Sequence, residues 1–409
     1  MPPPRRCPLA KAEPHRAGLP SPPTLLGGLS IGTFLRKYWQ KKPLLIRQAL
    51  PEFRSFITPE GLRRLAGGHE VNARLVIEKD GDYPWQLKLG PFAENDFTAL
   101  PATHWSLLVQ DVDKHRRTAA DLLEKFWFIP AWRIDDLMLS YAPPQGSVGP
   151  HLDSYDVFLL QAHGRRRWQI NCDDYGEDDF VPNLDLRILG EFIPTDEWIL
   201  EPGDMLYLPP GVAHHGVALD ECLTCSIGFR APTRRELIGA YVEDVISRFD
   251  ETDRYGDSNL KAQSDPGEIG AAGLAQVRRL IRSLPVDDET IADWFGRYLT
   301  ETGIWGAPAP VRHPLTPAQF KRAFAQHRRL RRSDRCRFAF RRRGRRACLY
   351  VDGRCFELDA HTAFAAPLIS GRREFGYGEL DRKLNRAAFL QLLCDLYNDG
   401  YLSFARLRK

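Results

Sequence analysis

GPHLDSYDVFLLQAHGRRRWQIN, residues 149–171, combines short aromatic and β-branched runs with two polar residues, His151 and Asp153. On a β-strand the side chains of residues i and i+2 point to the same side, so His151 and Asp153 can contact one ion. A third ligand is expected from a neighbouring strand. The candidate is His214, which lies 61 residues after Asp153 and follows the turn residues Pro209-Pro210-Gly211.

Two histidines and one carboxylate on one side of a metal form the facial triad of non-haem Fe(II) oxygenases, in which three positions stay open for a 2-oxo acid and dioxygen. The same three residue types also bind zinc in hydrolases. A lone His-x-Asp pair arises often by chance, and only its combination with a distant histidine in a strand-rich region favours a metal site. His215 is a second candidate for the third ligand, but strand alternation allows only one of His214 and His215.

An anion pocket would favour iron over zinc, and three consecutive arginines offer one. Arg165, Arg166 and Arg167 lie on the next predicted strand, where alternation places Arg166 opposite the other two. An inward arginine can bind the far carboxylate of 2-oxoglutarate through two charged hydrogen bonds. A solvated basic strand edge is the more common role of such a triplet.

The region from Asp135 to Arg230 is rich in short strands. Runs of four to eight aromatic and branched residues alternate with Gly, Pro and Asp, as in DMLYLP and CLTCSIGF. Many short strands without helices between them predict a closed barrel or a sandwich. Before this region, residues 57–67 predict a helix with Thr58 as N-cap.

Helical patterns return after Arg230. Residues 233–249, 266–284 and 288–299 predict three amphipathic helices that form a bundle or an oligomer interface. After a Gly- and Pro-rich link, residues 316–409 predict a helix, a β-ribbon and a helix, which is typical of a winged-helix-like module. The Pro-rich residues 1–25 predict a disordered leader. The whole pattern is that of an α+β protein.

Charge is distributed unevenly along the chain. Residues 301–409 contain 23 Lys and Arg against 10 Asp and Glu, a net charge of +13, whereas the whole chain has +4. The 13 Lys and Arg of residues 321–346 permit nucleic-acid binding. The acidic residues 173–179 either attract a basic protein segment or form a solvated loop.

The cysteine content and the hydropathy of the sequence indicate the cellular compartment of the protein. Eight scattered cysteines are too few for a disulfide scaffold in 409 residues, which favours a reducing cytoplasm. Cys222 and Cys225 lie on a predicted strand and face opposite sides, so neither a zinc nor a redox role is expected. No membrane span and no secretory signal is expected.

Several segments together resemble the bacterial JmjC/cupin-type ribosomal oxygenases, which hydroxylate an arginine of a large-subunit ribosomal protein of the L-sixteen type. The segments are YWQKKPLLIRQA, DDLMLSYA, GPHLDSYDVFLLQ, GRRRWQI, PGDMLYLPPGVAHHG and SIGFRAP. The resemblance implies an α+β fold with a double-stranded β-helix (cupin/JmjC) domain over residues 26–232, a helical dimerisation domain over residues 233–302 and a winged-helix domain over residues 303–409.

For the site, the resemblance implies that His151, Asp153 and His214 bind Fe(II), with His215 as the alternative third ligand. It implies that Arg166 binds the distal carboxylate of 2-oxoglutarate and that Ser140 assists. The implied activity is that of an Fe(II)- and 2-oxoglutarate-dependent dioxygenase, a ribosomal-protein arginine 3-hydroxylase that uses O2 and forms succinate and CO2.

The implied protein is a cytoplasmic homodimer with a ribosomal-protein substrate and no membrane partner. The positive charge of the C-terminal domain, and not the resemblance, predicts a contact with rRNA. Two other functions stay open at this point. One is hydroxylation of a ribosomal-protein histidine, as in related eukaryotic ribosomal oxygenases. The other is a non-catalytic nucleic-acid-binding protein with a cupin and a winged helix. Histone demethylation is not expected, because the sequence has no histone-reading module.

Overall fold

The computed structural model describes residues 25–78, 85–252, 254–258, 260–303 and 306–405, so the predicted leader lies outside these ranges except for Leu25. The chain folds into two units, residues 1–231 and residues 232–409. No helix within the described ranges has the length and the apolar character needed to cross a lipid bilayer.

The first unit contains two antiparallel sheets that form the predicted double-stranded β-helix. The strands of the larger sheet, in their order from one edge to the other, are β1 (Leu44–Ile46), β10 (Met205–Leu208), β7 (Val157–His163), β12 (Cys222–Phe229), β5 (Ile134–Ala142), β4 (Trp105–Val109), β2 (Ala73–Glu78) and β3 (Trp85–Leu89). The smaller sheet consists of β6 (His151–Leu152), β11 (Ala213–Ala218), β8 (Arg166–Asn171) and β9 (Asp196–Leu200).

Strand β7 is buried on both faces because it separates two hydrophobic cores. Phe158 and Leu160 belong to the core between the larger sheet and the helices. Val157 and Leu159 point the other way and pack with Trp168 of the smaller sheet. This alternation explains why YDVFLLQA is a continuous apolar run, since each face of the strand has its own core to fill.

Among the described residues of the first unit, five short helices accompany the sheets. They are α1 (Ile31–Lys37), α2 (Pro59–Ala66), α3 (Glu94–Thr98), α4 (Val112–His115) and α5 (Arg117–Leu123). The prediction for residues 57–67 is confirmed, because the Thr58 hydroxyl accepts a hydrogen bond from the backbone N–H of Gly61 and Gly67 ends the helix. Phe34 of α1, Leu62 of α2 and Leu122 of α5 are buried in the core of the larger sheet.

The second unit begins with α6 (Arg234–Ile246), α7 (Ala271–Arg282) and α8 (Asp288–Thr300). Helix α7 is shorter than predicted, because Pro266 and Gly267 form a turn and Gly270 is the N-cap. Helix α8 lies against the strands that follow it. A Cβ on its Gly296 would stand 2.5 Å from the ring of Tyr350, so glycine permits this close approach.

The rest of the second unit has two three-stranded antiparallel sheets and four helices. The sheets, in order, are β17 (Glu374–Gly376), β13 (Arg329–Arg332) and β18 (Leu402–Phe404), and β14 (Phe338–Arg343), β15 (Arg346–Val351) and β16 (Arg354–Leu358). The helices are α9 (Pro317–His327), α10 (Ala365–Ser370), α11 (Tyr377–Leu380) and α12 (Ala387–Asn398). Phe320, Phe324, Leu349 and Phe389 share one core, and the winged-helix prediction is confirmed, although β13 was not predicted as a strand.

Candidate active site

The predicted metal ligands lie together on the smaller sheet. Strands β6 and β11 pair so that His151 stands directly opposite His214, with ring centroids 4.2 Å apart. Asp153 follows two residues later, and its Oδ2 is 3.8 Å from Nε2 of His214. The ligand atoms of the three residues all lie within 4.8 Å of one another, so they can bind one ion.

Both histidines are oriented by the backbone. Nδ1 of His151 lies 2.9 Å from the carbonyl oxygen of Gly149, and Nδ1 of His214 lies 3.0 Å from that of Val212. A carbonyl only accepts, so each Nδ1 carries the proton and each Nε2 keeps a lone pair for a metal. Burial, and next the neighbouring His151, lowers the pKa of His214 to about 4, so this ring is neutral at pH 7.

His215 lies on the opposite side of β11 from His214. Its ring is edge-on to Phe192, with centroids 6.1 Å apart, and it is not part of the metal-ligand cluster. Burial, and next the neighbouring His151, lowers its pKa to about 4 as well, so neutrality alone does not distinguish the two histidines. Side-chain direction does, and it favours His214.

Arg166 is buried, with 4% of its surface exposed, although the arginines on both sides of it are not. Its Nη1 donates hydrogen bonds to Oγ of Ser140 at 3.2 Å and to Oγ1 of Thr224 at 3.3 Å. Its Nε is buried and has no hydrogen-bond partner among the described residues. A buried guanidinium with an unused N–H donor is suited to bind an anion.

Arg165 and Arg167 lie outside the β-helix, as alternation predicts. Nε of Arg165 lies 2.8 Å from a carboxylate oxygen of Asp220, and Nε of Arg167 lies 3.9 Å from one of Glu197. Both ion pairs are solvent-exposed, and such pairs contribute about 0–1 kcal/mol. Arg166 is therefore the member of the triplet that faces the interior.

The metal-ligand cluster and Arg166 line the same cavity, whose volume is about 370 Å³. Trp168 lies between them, with its ring 5.8 Å from that of His214 and 5.4 Å from the guanidinium of Arg166. A Cβ on Gly216 would stand 2.6 Å from the Trp168 ring, so the glycine leaves room for the indole. The volume suits a small acid such as 2-oxoglutarate with part of a second substrate.

Carboxylates line another part of this cavity. Oδ2 of Asp136 accepts a hydrogen bond from the backbone N–H of Asp111 at 2.9 Å, and Oδ1 lies 3.5 Å from the position of a Cβ on Gly228, which also lines the cavity. Burial, and next the charge of Asp113, raises the pKa of Asp136 to about 7. A half-buried carboxyl group beside another carboxylate favours a cationic partner.

The cluster has the chemistry that a divalent metal requires. Two imidazole nitrogens and one carboxylate oxygen face one cavity, which is accessible to small molecules. This set suits non-haem Fe(II), and zinc accepts it as well. The adjoining Arg166 favours iron, because an anion-binding arginine gives the site a place for a 2-oxo acid.

Sequence reasoning missed two residues that line this cavity, Trp168 and Asp136, and one residue that contacts its arginine, Thr224. Thr224 bonds Arg166 and donates to Oε1 of Gln161 at 3.0 Å, yet threonine in a buried strand carries no signal of its own. Trp168 stands two residues from Arg166 on β8, and Asp136 stands four residues from Ser140 on β5, so each shares a face with a predicted site residue. Strand alternation was the available signal for both of them.

Two family models match the chain. A JmjC domain matches residues 121–237, and a ROXA-like winged helix matches residues 280–403. The first range contains the metal-ligand cluster and Arg166, and the second begins within α7.

Curated relatives and solved structures agree with these matches. The chain is 37% identical over 293 residues to ribosomal protein uL16 3-hydroxylase from Escherichia coli, which covers 72% of this chain and 77% of that protein. It is 47% identical over 210 residues to a probable ribosomal oxygenase from Haemophilus influenzae, half of each chain. The structure of the E. coli ribosomal oxygenase YcfD in complex with cobalt and 2-oxoglutarate has a TM-score of 0.78 and 33% identity, and covers 92% of this chain and 98% of that chain.

Replacement of His151, Asp153 or His214 by alanine is expected to weaken binding of Co(II), measured by calorimetric titration. Loss of one of three ligands should cost at least the roughly 10–100-fold in affinity that loss of an outer hydrogen-bond partner costs. His215→Ala is the matched control and should bind Co(II) like the unchanged protein. If His215→Ala loses the metal and His214→Ala keeps it, the third ligand is His215.

Proposed function

Since this chain belongs to the family of JmjC-domain ribosomal oxygenases, we propose that it is an Fe(II)- and 2-oxoglutarate-dependent oxygenase that hydroxylates an arginine side chain of ribosomal protein uL16. Succinate and CO2 are the co-products. The observation that carries the proposal is that a His-Asp-His cluster and a buried arginine with an unused N–H donor line one cavity.

In this proposal, His151, Asp153 and His214 hold the iron, which when bound supplies the activation of O2 needed to hydroxylate an unactivated C–H bond. Arg166 binds the distal carboxylate of 2-oxoglutarate. The hydroxyls of Ser140 and Thr224 accept from its Nη1 and so hold the guanidinium in place. The apolar wall that includes Leu159 and Trp168 excludes water from the reacting groups.

The proposed substrate is an arginine because the cavity offers a carboxylate outside the metal cluster. Asp136 is fixed through Oδ2 by the N–H of Asp111, which leaves Oδ1 to accept from a guanidinium. Tyr155 lies beside Gly228 and Asp136 and also lines the cavity, where it can pack on a flat cation. A neutral imidazole of a histidine substrate would not use the charge of Asp136.

A non-catalytic role fits these observations poorly. A protein that only binds nucleic acid does not need a set of metal ligands in the same cavity as an anion-binding arginine. The JmjC match and the relatives named as hydroxylases also favour an enzyme.

The partners and the compartment follow from the substrate. A uL16 hydroxylase acts in the cytoplasm, where ribosomal proteins are made and assembled. The net charge of +13 of residues 301–409 suits contact with rRNA near the target. The acidic residues 173–179 of the first unit have the charge to attract a basic ribosomal protein.

We propose that residues 233–302 form a helical domain through which two copies of the chain assemble as a homodimer. Helix α7 has no buried residue within the described part of the chain. Leu274, Val277 and Ile281 recur at helical spacing on one side of it, and Ile281 is 62% exposed. Monomeric proteins rarely expose a continuous apolar stripe of this kind, so a second copy of the chain is the proposed cover.

Incubation with Fe(II), 2-oxoglutarate and uL16 is expected to add one oxygen atom to an arginine of uL16, as read by fragment mass spectrometry, with one succinate formed for each hydroxylation. Modification of a histidine would replace the proposed substrate residue. Absence of both hydroxylation and succinate would contradict the proposed function.

Within that assay, Asp136→Asn is expected to raise KM for uL16 while KM for 2-oxoglutarate stays unchanged. Because Asp136 has a pKa of about 7 and must ionise to pair with a guanidinium, KM of the unchanged enzyme should fall as pH rises through about 7. The variant should lack this dependence. Glu197→Gln, which removes a carboxylate from the exposed ion pair with Arg167 outside the cavity, is the control.

The anion pocket is tested by Arg166→Ala. Loss of a charged hydrogen-bond donor costs about 1.5–3 kcal/mol, so KM for 2-oxoglutarate should rise by about 10–100-fold while Co(II) affinity is retained. Arg165→Ala and Arg167→Ala remove outward arginines and should leave KM for 2-oxoglutarate unchanged. A damaging Arg165→Ala beside a silent Arg166→Ala would contradict the proposed role.

Light scattering is expected to give twice the chain mass of 46.7 kDa. Ile281→Asp should produce the monomer, because a carboxylate would then be buried in the apolar interface. Arg279→Asp, on the opposite side of α7, is the matched control and should stay dimeric. A monomer mass for the unchanged protein would contradict the dimer.

A further inference from the structure

The arginines of residues 321–346 differ in their surroundings, and the first group is structural. Arg331 and Arg332 lie on β13 and are buried. Arg331 donates to the carboxylates of Asp334 at 2.9 Å and Glu374 at 3.2 Å. Arg332 donates from Nη1 to the carbonyl oxygen of Ser370 at 2.7 Å. These two cations stabilise the fold and are not accessible to a partner.

The second group lies at the end of the β14–β15 hairpin. Five of the six residues from 341 to 346 are arginines, and the sixth, Gly344, has a φ of +58° in the two-residue turn. Glycine at the first turn position permits a tight hairpin whose twist matches that of its strands. The sequence thus concentrates positive charge at the turn of one hairpin of the second unit.

Two of these arginines anchor the hairpin. Arg341 donates both Nη groups to the carboxylate of Glu289 on α8, at 2.8 and 2.9 Å, and Arg343 bonds the same carboxylate. The carboxylate of Glu289 therefore neutralises only one of the two positive charges of Arg341 and Arg343. Because the hairpin end is already fixed, it loses little conformational entropy when it binds a partner.

The other three arginines face solvent. Arg342, Arg345 and Arg346 are exposed and form no ion pair with any residue in the described ranges. The guanidinium of Arg342 lies 5.4 Å from the ring of Phe340, which is itself 36% exposed. The hairpin end thus combines free guanidiniums with an accessible aromatic ring.

We propose that this basic wing, residues 340–346, binds the phosphate backbone of structured RNA. Guanidinium groups bind phosphate oxygens in pairs of hydrogen bonds, and an exposed aromatic ring stacks on an unpaired base. The choice of RNA rests on the proposed function, because a uL16 hydroxylase meets its target beside rRNA. Phosphate contacts carry no sequence information, so the wing docks the enzyme without selecting a sequence.

The test is fluorescence anisotropy of the full chain with a labelled RNA stem-loop, without iron or 2-oxoglutarate. The triple variant Arg342→Gln, Arg345→Gln, Arg346→Gln is expected to bind about tenfold or more weakly, and the slope of log K against log salt should become shallower by about 2. The matched control removes three charges elsewhere in the same unit: Arg322→Gln, Arg382→Gln, Lys383→Gln. It should bind like the unchanged protein.

Three outcomes would overturn the proposal. They are an unchanged RNA affinity of the wing variant, an equal loss in the control variant, and binding of polyglutamate as tight as that of RNA, which would indicate an acidic protein partner. Turnover of a short uL16 peptide by the wing variant should equal that of the unchanged enzyme. If none of the variants hydroxylates uL16, the proposed function is contradicted but the RNA-binding proposal is not, because the RNA measurement needs no turnover.

Discussion

The register between β6, β11 and β8 is the constraint on which the candidate site depends. It places His151 opposite His214, and it continues so that Trp168 stands opposite Gly216 and Arg166 opposite Ala218. A slip of one residue would move every one of these side chains to the other face of the sheet. The register is specified by burial, since the inner face carries the apolar residues of the core while the outer face carries solvent-exposed ion pairs.

Arg166 connects the two sheets electrostatically as well as structurally. It belongs to the smaller sheet, while its partners Ser140 and Thr224 belong to β5 and β12 of the larger one. Hydroxyl groups orient a guanidinium but do not neutralise it, and no carboxylate of the described residues forms an ion pair with it. A buried charge without a counter-charge is costly, so an anionic ligand offsets a cost that the fold itself leaves in place.

The sequence predicted the parts of the site that depend on local periodicity. The i and i+2 spacing of His151 and Asp153 and the alternation of the arginine triplet needed only strand geometry. Thr224 was missed because its role depends on which strands become neighbours, and a single sequence does not reveal strand order. The arginines of β13 were counted in the basic stretch that permits nucleic-acid binding, and their structural role was missed because their carboxylate and carbonyl partners lie 38 to 43 positions away in the sequence.

Asp136 shows how the needs of the substrate oppose those of the fold. Its pKa of about 7 lies above the ordinary value of 3.8, so the folded protein holds a proton that the unfolded chain releases, and folding stability decreases as pH rises from about 4 to 7. Asparagine would avoid this loss and keep the bond from the N–H of Asp111. A carboxylate at this position is favourable only when a cation enters the cavity. The cation lowers the pKa of Asp136 and thereby restores the lost folding stability. In the proposed function, a residue that lowers folding stability near neutral pH is therefore the one that distinguishes a guanidinium from a neutral side chain.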